Sequence, residues 1–265
     1  MHSALSNPQS ALKITFLGTG TSHGVPMIGC TCATCTSSDP HDRRTRPSIL
    51  IETAAGTFVL VDTATDLRAQ ALALNVTRVD AILFTHSHAD HILGLDDVRR
   101  FNALQGGAIP CWADEQSAAD IRRAFWYVFD PAASRGGGLP EIDIHVVDGH
   151  VRIGGASFVP VPILHGKRTI LGWRVGSFAY LTDCSGIPDA SWPLLEGVEA
   201  VVLGALRDRP HPTHFTLDQA VNAARRIGAA RAWFTHMAHD LPHAATCARL
   251  PEGMALAYDG LVVTL

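Results

Sequence analysis

Charge is sparse in this 265-residue chain and neither sign dominates: charged residues make up 17%, with 21 Lys and Arg against 25 Asp and Glu, for a net charge of −4. That balance excludes a general basic field for gripping nucleic acid or an acidic membrane surface, so any phosphate binding has to come from a local site. Long hydrophobic runs are missing too; nothing approaches the roughly 18 apolar residues that a bilayer-spanning helix needs. The opening MHSALSNPQSALK has no basic segment leading into an apolar one, so a secretory signal is not expected and the cytoplasm is the expected compartment. Cysteine is scarce, at six, and unevenly spread. GCTCATC (29–35) holds three, Cys30, Cys32 and Cys35. An odd number suits neither a disulfide framework nor a four-thiolate zinc site without a further partner. In a reducing compartment such a cluster is expected to bind metal or to react, whereas the scattered Cys111, Cys184 and Cys247 are expected as buried free thiols.

Apolar content is ample at 47%, enough for a substantial core in one large domain or two small ones. Residues 1–10 read as a loose tail. LKITFLG, SILIET and TFVLVD then read as strands, the last two joined as a hairpin. TDLRAQALAL (65–74) is expected as a helix capped by Thr63 or Thr65, VDAILFTH as a strand, and ILGLDDVRRFNAL and DEQSAADIRRAFWYVF as helices. SRGGGLP (134–140) is a candidate lid. Strands follow at 142–147, 156–162, 170–175 and 177–182, then in EAVVLGAL, RAWFTH and LVVTL. Thr216 to Gln219 has the form of a capping box opening a helix that Gly228 ends. No linker or composition break divides the halves, so residues 11–265 are expected as one α/β domain of two layered sheets covered by helices.

Chemistry concentrates in THSHADH (85–91). His86 and His88, two apart at the end of an apolar strand, project from one side of an extended chain. Asp90 and His91 follow where the chain turns into a helix. Imidazole and carboxylate together are what a first-row divalent metal takes, and this set can serve two ions. Three further ligand-type residues, His165, Asp183 and His236, each follow an apolar run, at the strand ends where open-sheet sites collect. GTGTSHG (18–24) is followed by VPMIG and not by a helix, so it reads as a tight turn bordering this site and not as a nucleotide loop.

The pattern resembles the metallo-β-lactamase superfamily over nearly the whole chain, which implies an αββα sandwich of two mixed β-sheets flanked by helices. Carried over, the resemblance implies that His86, His88 and His165 hold one ion and Asp90, His91 and His236 the other, with Asp183 bridging and Asp62 orienting ligands from behind. Two ions about 3.5–4 Å apart share a water and lower its pKa toward about 7, so the hydroxide is the nucleophile and the ions stabilise the charge that develops. An ester, thioester or phosphodiester would all suit that centre. His211 and His214, in RPHPTHF, lie outside the ligand set as candidate proton donors.

FLGTGTSHGVPMIGCTCATC, DRRTRPSILIE, HSHADHILGLDDVRRFN, HPTHFTLDQA, THMAHD and AYDG together resemble the phosphoribosyl cyclic phosphodiesterase (PhnP) branch. This likeness implies a small cyclic ribose or nucleotide phosphodiester as substrate and His214 as general acid, acting with the metal-bound Asp90 and Asp183. It also implies a structural zinc held by Cys30, Cys32, Cys35 and His239, with Cys247, His243 and His41 as rival fourth ligands. The catalytic pair would be Zn²⁺ or Mn²⁺, and a homodimer is implied. Arg43, Arg44 and Arg46 are within the reach of a phosphate contact, but a solvated basic loop is the favoured reading. A tRNA 3′-processing nuclease shares the ligand set, but the composition offers no basic arm. A glyoxalase II-type thioesterase has no use for CxCxxC, and a pyrroloquinoline-quinone biosynthesis protein departs from HxHxDH. A metal-binding scaffold without catalysis leaves the loop histidines idle.

Overall fold

A computed structural model describes residues 12–132 and 138–265; the expected tail at 1–10 and residues 134–137 of the candidate lid lie outside the described residues. Strands of the first half are apolar on both parities. β1 (Lys13–Gly18), β2 (Ser48–Glu52), β3 (Phe58–Val61) and β4 (Ala81–Leu83) send Ile14, Ile49, Val59 and Leu83 to one face and Leu17, Leu50, Leu60 and Ile82 to the other. A sheet with two apolar faces must be covered on both. β5 (Ile109–Ala113) and β6 (Ile142–Val146) complete the row at one edge.

A second sheet is built from β7 (Val151–Ile153), β8 (Ala156–His165), β9 (Arg168–Val175), β10 (Phe178–Leu181), β11 (Ala200–Gly204), β12 (Arg231–Thr235) and β13 (Met254–Leu256). The last strand, β14 (Val262–Thr264), returns to pair with β1. Among the described residues the strand orders are β14-β1-β2-β3-β4-β5-β6 and β13-β12-β11-β10-β9-β8-β7. Both sheets are mixed, with β3 to β6 parallel in the first and β10 to β13 parallel in the second.

The helices are α1 (Leu67–Ala73), α2 (Ala89–Ile92), α3 (Arg99–Gln105), α4 (Glu115–Ala124), α5 (Trp126–Phe129), α6 (Leu217–Ile227) and α7 (His243–Cys247). Leu67, Phe101 and Ile121 from α1, α3 and α4 pack on the outer face of the first sheet. Leu217, Ala220 and Ala224 from α6 pack on the second. Between the sheets lie Phe16, Phe158, Trp173, Phe178 and Tyr180, all buried. The result is an αββα sandwich.

Several expectations change in detail. α1 starts two residues late: Thr65 and Thr63 donate their hydroxyls to Ala89 O and Ile92 O, so both hold the α2 turn and neither caps α1. The expected helix over 92–104 is broken into the end of α2, a 3₁₀ stretch (Leu93–Val98) and α3. The next expected helix is interrupted at Phe125, where ψ of 40° leaves the helical region. β5, β7 and β13 lack a sequence signal strong enough to mark them; the last two have only three residues each. The capping box at Thr216 and the left-handed Gly228 form as expected. Cys111 and Cys184 are buried, whereas Cys247 is half-buried against His243.

The basic loop is the largest correction. Arg43 is exposed, but Arg46 pairs with Asp66 at 3.1 Å. Arg44 is 2% exposed and donates to Ala238 O, Leu241 O and the Asp42 carboxylate. A guanidinium out of water must meet acceptors on each edge, and the loop after β12 supplies two of its carbonyls. Replacing Arg44 with Met strands Asp42 and both carbonyls; about 3 kcal/mol of stability should be lost, read as a lower midpoint in urea unfolding. A midpoint equal to that of the wild type would show that the contacts are dispensable.

Candidate metal centre

Strand ends from both sheets converge on one rim. The chain leaves β4 through Phe84 and Thr85 and stays extended into His86-Ser87-His88 before α2 turns it, placing Asp90 and His91 in that first turn. β8 ends on His165, β10 leads to Asp183, β12 leads to His236, and β3 leads to Asp62. All of these site side chains except that of His88 are buried.

The histidine rings lie close together. Ring centroids are 4.5 Å apart for His86 and His88, 5.4 Å for His86 and His165, and 5.0 Å for His88 and His165. On the other side, Asp90 Oδ2 lies 3.5 Å from His91 Nε2 and 3.4 Å from His236 Nε2. Asp183 stands between the two groups: 3.4 Å from His91 Nε2, 3.2 Å from His236 Nε2 and 3.9 Å from His86 Nε2. Donor atoms about 2.0–2.1 Å from a tetrahedral ion are separated by roughly 3.3 Å, so these spacings fit metal ligation.

Polar partners behind the rings choose which nitrogen faces inward. His91 Nδ1 meets Asp62 Oδ2 at 2.7 Å, His165 Nδ1 meets Asp183 O at 2.8 Å, and His86 Nδ1 meets Thr85 Oγ1 at 3.0 Å. Asp62 also accepts from Thr85 N and Thr85 Oγ1, both at 2.8 Å. Each of these rings therefore turns Nε2 to the centre. His86 Nε2 and His91 Nε2 are left buried with no hydrogen-bond partner. Two buried orphan nitrogens facing buried carboxylates are the signature of donors awaiting a cation.

Charge tells the same story. Burial opposes a charge on His91, yet the Asp183, Asp90 and Asp62 carboxylates around it raise its pKa well above the usual 6.5. Burial also works against ionised Asp90 and Asp183, and the surrounding histidines overcome it, holding both below the usual range. Burial, followed by the proximity of His91, drives His86 far down. Without an ion, the buried carboxylates recruit a proton onto His91 as their counter-cation.

The backbone is strained where it carries these groups. Among the described residues, the non-glycines in the left-handed region are Asp62 (φ 64°), Asp183 (φ 56°), His236 (φ 59°) and Asn75 (φ 52°). Three of these four belong to the centre, and each such conformation costs on the order of 1 kcal/mol or more. Gly204 lies beneath Asp183, where a Cβ would stand 2.7 Å from Asp183 N; only glycine lets that turn settle.

A second cluster joins the early cysteine loop to the segment after His236. His239 Nδ1 is 3.2 Å from Cys30 Sγ, 3.5 Å from Cys32 Sγ and 3.4 Å from Cys35 Sγ. A tetrahedral Cys₃His zinc has sulfur–nitrogen edges of about 3.5 Å. The rival candidates lie elsewhere: His41 and His243 gather with Asp39, and Cys247 is 3.8 Å from His243. Main-chain bonds from Met237 to Thr19 O and from Thr21 to Met237 O tie the glycine turn at 18–24 to that later segment, so the turn does border the centre.

His214 stacks on His236 at 4.8 Å and lies 4.8 Å from His165, with Nδ1 3.9 Å from Asp183 Oδ2. Burial and then His236 lower its pKa to about 3. His211 is adjacent, 5.0 Å away, and bonds Thr213. Sequence reading missed Thr85, Ser87, Arg168 and Asp259. Asp259 accepts from Thr19 and Thr45 at 2.7 Å, and only its place in AYDG marked it. Arg168 carried no local signal at all.

Comparison with known proteins agrees with this geometry. Residues 57–237 match the beta-lactamase superfamily domain. The chain is 47% identical to a diphosphatase from the PhnP family, with a TM-score of 0.89, over 96% of this chain and 97% of that one. Zn²⁺-bound PqqB from Methylobacterium extorquens shares the fold at 18% identity, TM-score 0.73, over 96% and 100%. An octanoyltransferase from Porphyromonas gingivalis is 36% identical over 94% of this chain, which spans about half (51%) of that protein's length. The chain belongs to the beta-lactamase superfamily, as a PhnP-like member with the divalent-metal-binding fold of that superfamily's hydrolases.

Because the raised pKa keeps His91 protonated in the metal-free protein, ligation has to displace that proton from Nε2. The same shift stabilises the metal-free fold below pH 6.5 and is lost as pH rises through the raised value. Adding Zn²⁺ at pH 7.5 to protein whose Cys₃His site is already filled should release about one proton from this residue, read with an indicator dye in weak buffer and diminished in Asp62→Asn. No release from the wild type would contradict the charge state.

Proposed function

We propose that the chain is a metal-dependent phosphodiesterase for small cyclic ribose or nucleotide phosphodiesters, with residues 11–265 acting as one hydrolase unit. The observation that carries this reading is the placing of His214 against a complete two-metal ligand set, in a chain 47% identical to a PhnP-family diphosphatase. His86, His88 and His165 hold one divalent ion and Asp90, His91 and His236 the other, with Asp183 between them. Zn²⁺ and Mn²⁺ both suit these ligands. When bound, the ions supply an activated water and positive charge at the attacked phosphorus.

The protein's own groups do the rest. Asp62 holds His91, the Asp183 carbonyl holds His165, and Thr85 holds His86, so the ligands need no rearrangement to bind their ions. His214 sits at the open face, 12% exposed. With its pKa near 3 it is neutral in the free protein; an anionic phosphodiester beside it favours the imidazolium, which then protonates the leaving oxygen. Cys30, Cys32, Cys35 and His239 take a structural zinc. Thiols kept in that state suit a reducing, cytoplasmic setting, and a homodimer belongs to the same reading.

One refinement has its own support. The relative at 47% identity is named a diphosphatase, and a diphosphate ester breaks at the same kind of phosphorus–oxygen bond. The octanoyltransferase extends well beyond the match, so its acyl chemistry is assigned to no residue here; a thioester tests that point.

On metal-replete protein, a ribose cyclic phosphate, a nucleoside diphosphate ester and a glutathione thioester should be compared, with Asp183→Ala as the contaminant control. Phosphodiester turnover that vanishes in the control supports the reading, and thioester turnover alone overturns it. His214→Ala should lower kcat by about 10²–10⁴-fold with metal content unchanged; full activity removes its role. His239→Ala should lower zinc by one ion per chain, and unchanged content would reassign the Cys₃ site.

A further inference from the structure

The three histidines assigned to one ion come from different sheets. His86 and His88 follow β4 of the first sheet, and His165 ends β8 of the second. An ion held by all three is only as tight as the registration of one sheet on the other. Strand β9 provides that registration. Trp173 Nε1 donates to Phe84 O at 3.1 Å, Leu171 N donates to Thr85 O at 3.0 Å, and Arg168 Nη1 donates to Ser87 Oγ at 3.1 Å. These three contacts run in order along β9 and in the opposite order along residues 84–87, so they act as a short seam that stitches β9 to the histidine segment.

Arg168 is the outermost stitch and the one nearest both ligands. It lies directly across the β8–β9 hairpin from His165, and its partner Ser87 lies between His86 and His88. Its other nitrogen, Nη2, donates to Ser117 Oγ at 2.9 Å, and Asp114 Oδ1 is 3.9 Å away. Ser87 in turn donates to Asp120 Oδ2 at 2.7 Å, and Gln116 donates to the other oxygen of Asp120 at 3.0 Å. The guanidinium thus gives one N–H of each terminal nitrogen to a serine hydroxyl, and Asp114 beside it helps balance its charge.

We propose that Arg168 is a positioning residue that sets the affinity of the three-histidine ion site by locking the His165 hairpin onto Ser87. The proposal rests on the two-metal reading above. Locking acts through ligand geometry: with the outermost stitch open, the tip of the His165 hairpin and the His86–His88 segment are held only by the two inner contacts, and the ion has to order them on binding.

The test measures metal and does not depend on turnover. Full-length wild type, Arg168→Met, Arg168→Lys and Ser87→Ala, loaded with Zn²⁺, are equilibrated against a graded series of nitrilotriacetate concentrations. Ions per chain are then counted by mass spectrometry, and folding is checked by circular dichroism. One ion should leave Arg168→Met and Ser87→Ala at chelator concentrations on the order of 10- to 100-fold lower than in the wild type. Arg168→Lys should fall between, and a protein carrying both Arg168→Met and Ser87→Ala should lose no more than either single variant. The Cys₃His zinc should be retained throughout, and excess metal should restore kcat in Arg168→Met. Should Arg168→Met fail to fold, Ser87→Ala and Arg168→Lys carry the same comparison. An unchanged chelator midpoint in the folded variants overturns the proposal; a raised KM with that midpoint would make Arg168 a substrate contact instead. A wild type that binds only the Cys₃His zinc would overturn the two-metal reading itself, a result distinct from a wild type with three ions and an insensitive Arg168.

Discussion

A cluster of buried carboxylates and imidazoles, largely withdrawn from solvent, is the constraint around which this molecule is arranged. Asp62, Asp90 and Asp183 are each no more than 8% exposed, and ionised carboxylates at such depth need a cation. In the protein alone the carboxylates hold the pKa of His91 well above its usual value; under the two-metal proposal a divalent ion brings a larger charge to the same place. The strained backbone at Asp62, Asp183 and His236 is tolerable only because the two sheets hold the three turns from outside.

Support for the centre is layered. Within the first sheet, Asp62 and Thr85 orient His91 and His86. Between sheets, β9 stitches the histidine segment to the hairpin bearing His165. From the far side, the cysteine loop, His239 and Arg44 grip the segment that follows His236. Each layer acts on a different strand end, so losing one disturbs one ligand more than the whole site.

Much of this was legible in the sequence because the ligands are local or repeat a simple form. HxHxDH names four of them by spacing alone, and His165, Asp183 and His236 each stand where an apolar run stops. The CxCxxC loop marked a candidate metal site, whereas His239, which the structure brings beside it, lies 204 or more residues away and was reachable only through family likeness. Arg44 misled for the opposite reason: three arginines in DRRTRPS read as a solvated loop, and nothing local shows that carbonyls from residues 238 and 241 enclose the middle one. Short strands such as β7 and β13 escaped because three residues give too little alternation to mark.

The sequence by itself determined the longer elements, the pattern of apolar faces and the candidate ligand residues of the histidine motif and strand ends, since these follow from residue chemistry and near-neighbour spacing. The tertiary structure alone decided which nitrogen of each histidine faces inward, which turns carry strain, and that Arg168 and Arg44 are ties and not free charges. Those properties depend on groups tens to hundreds of residues apart meeting in a buried site, where a hydrogen bond made or missed fixes protonation, orientation and affinity together.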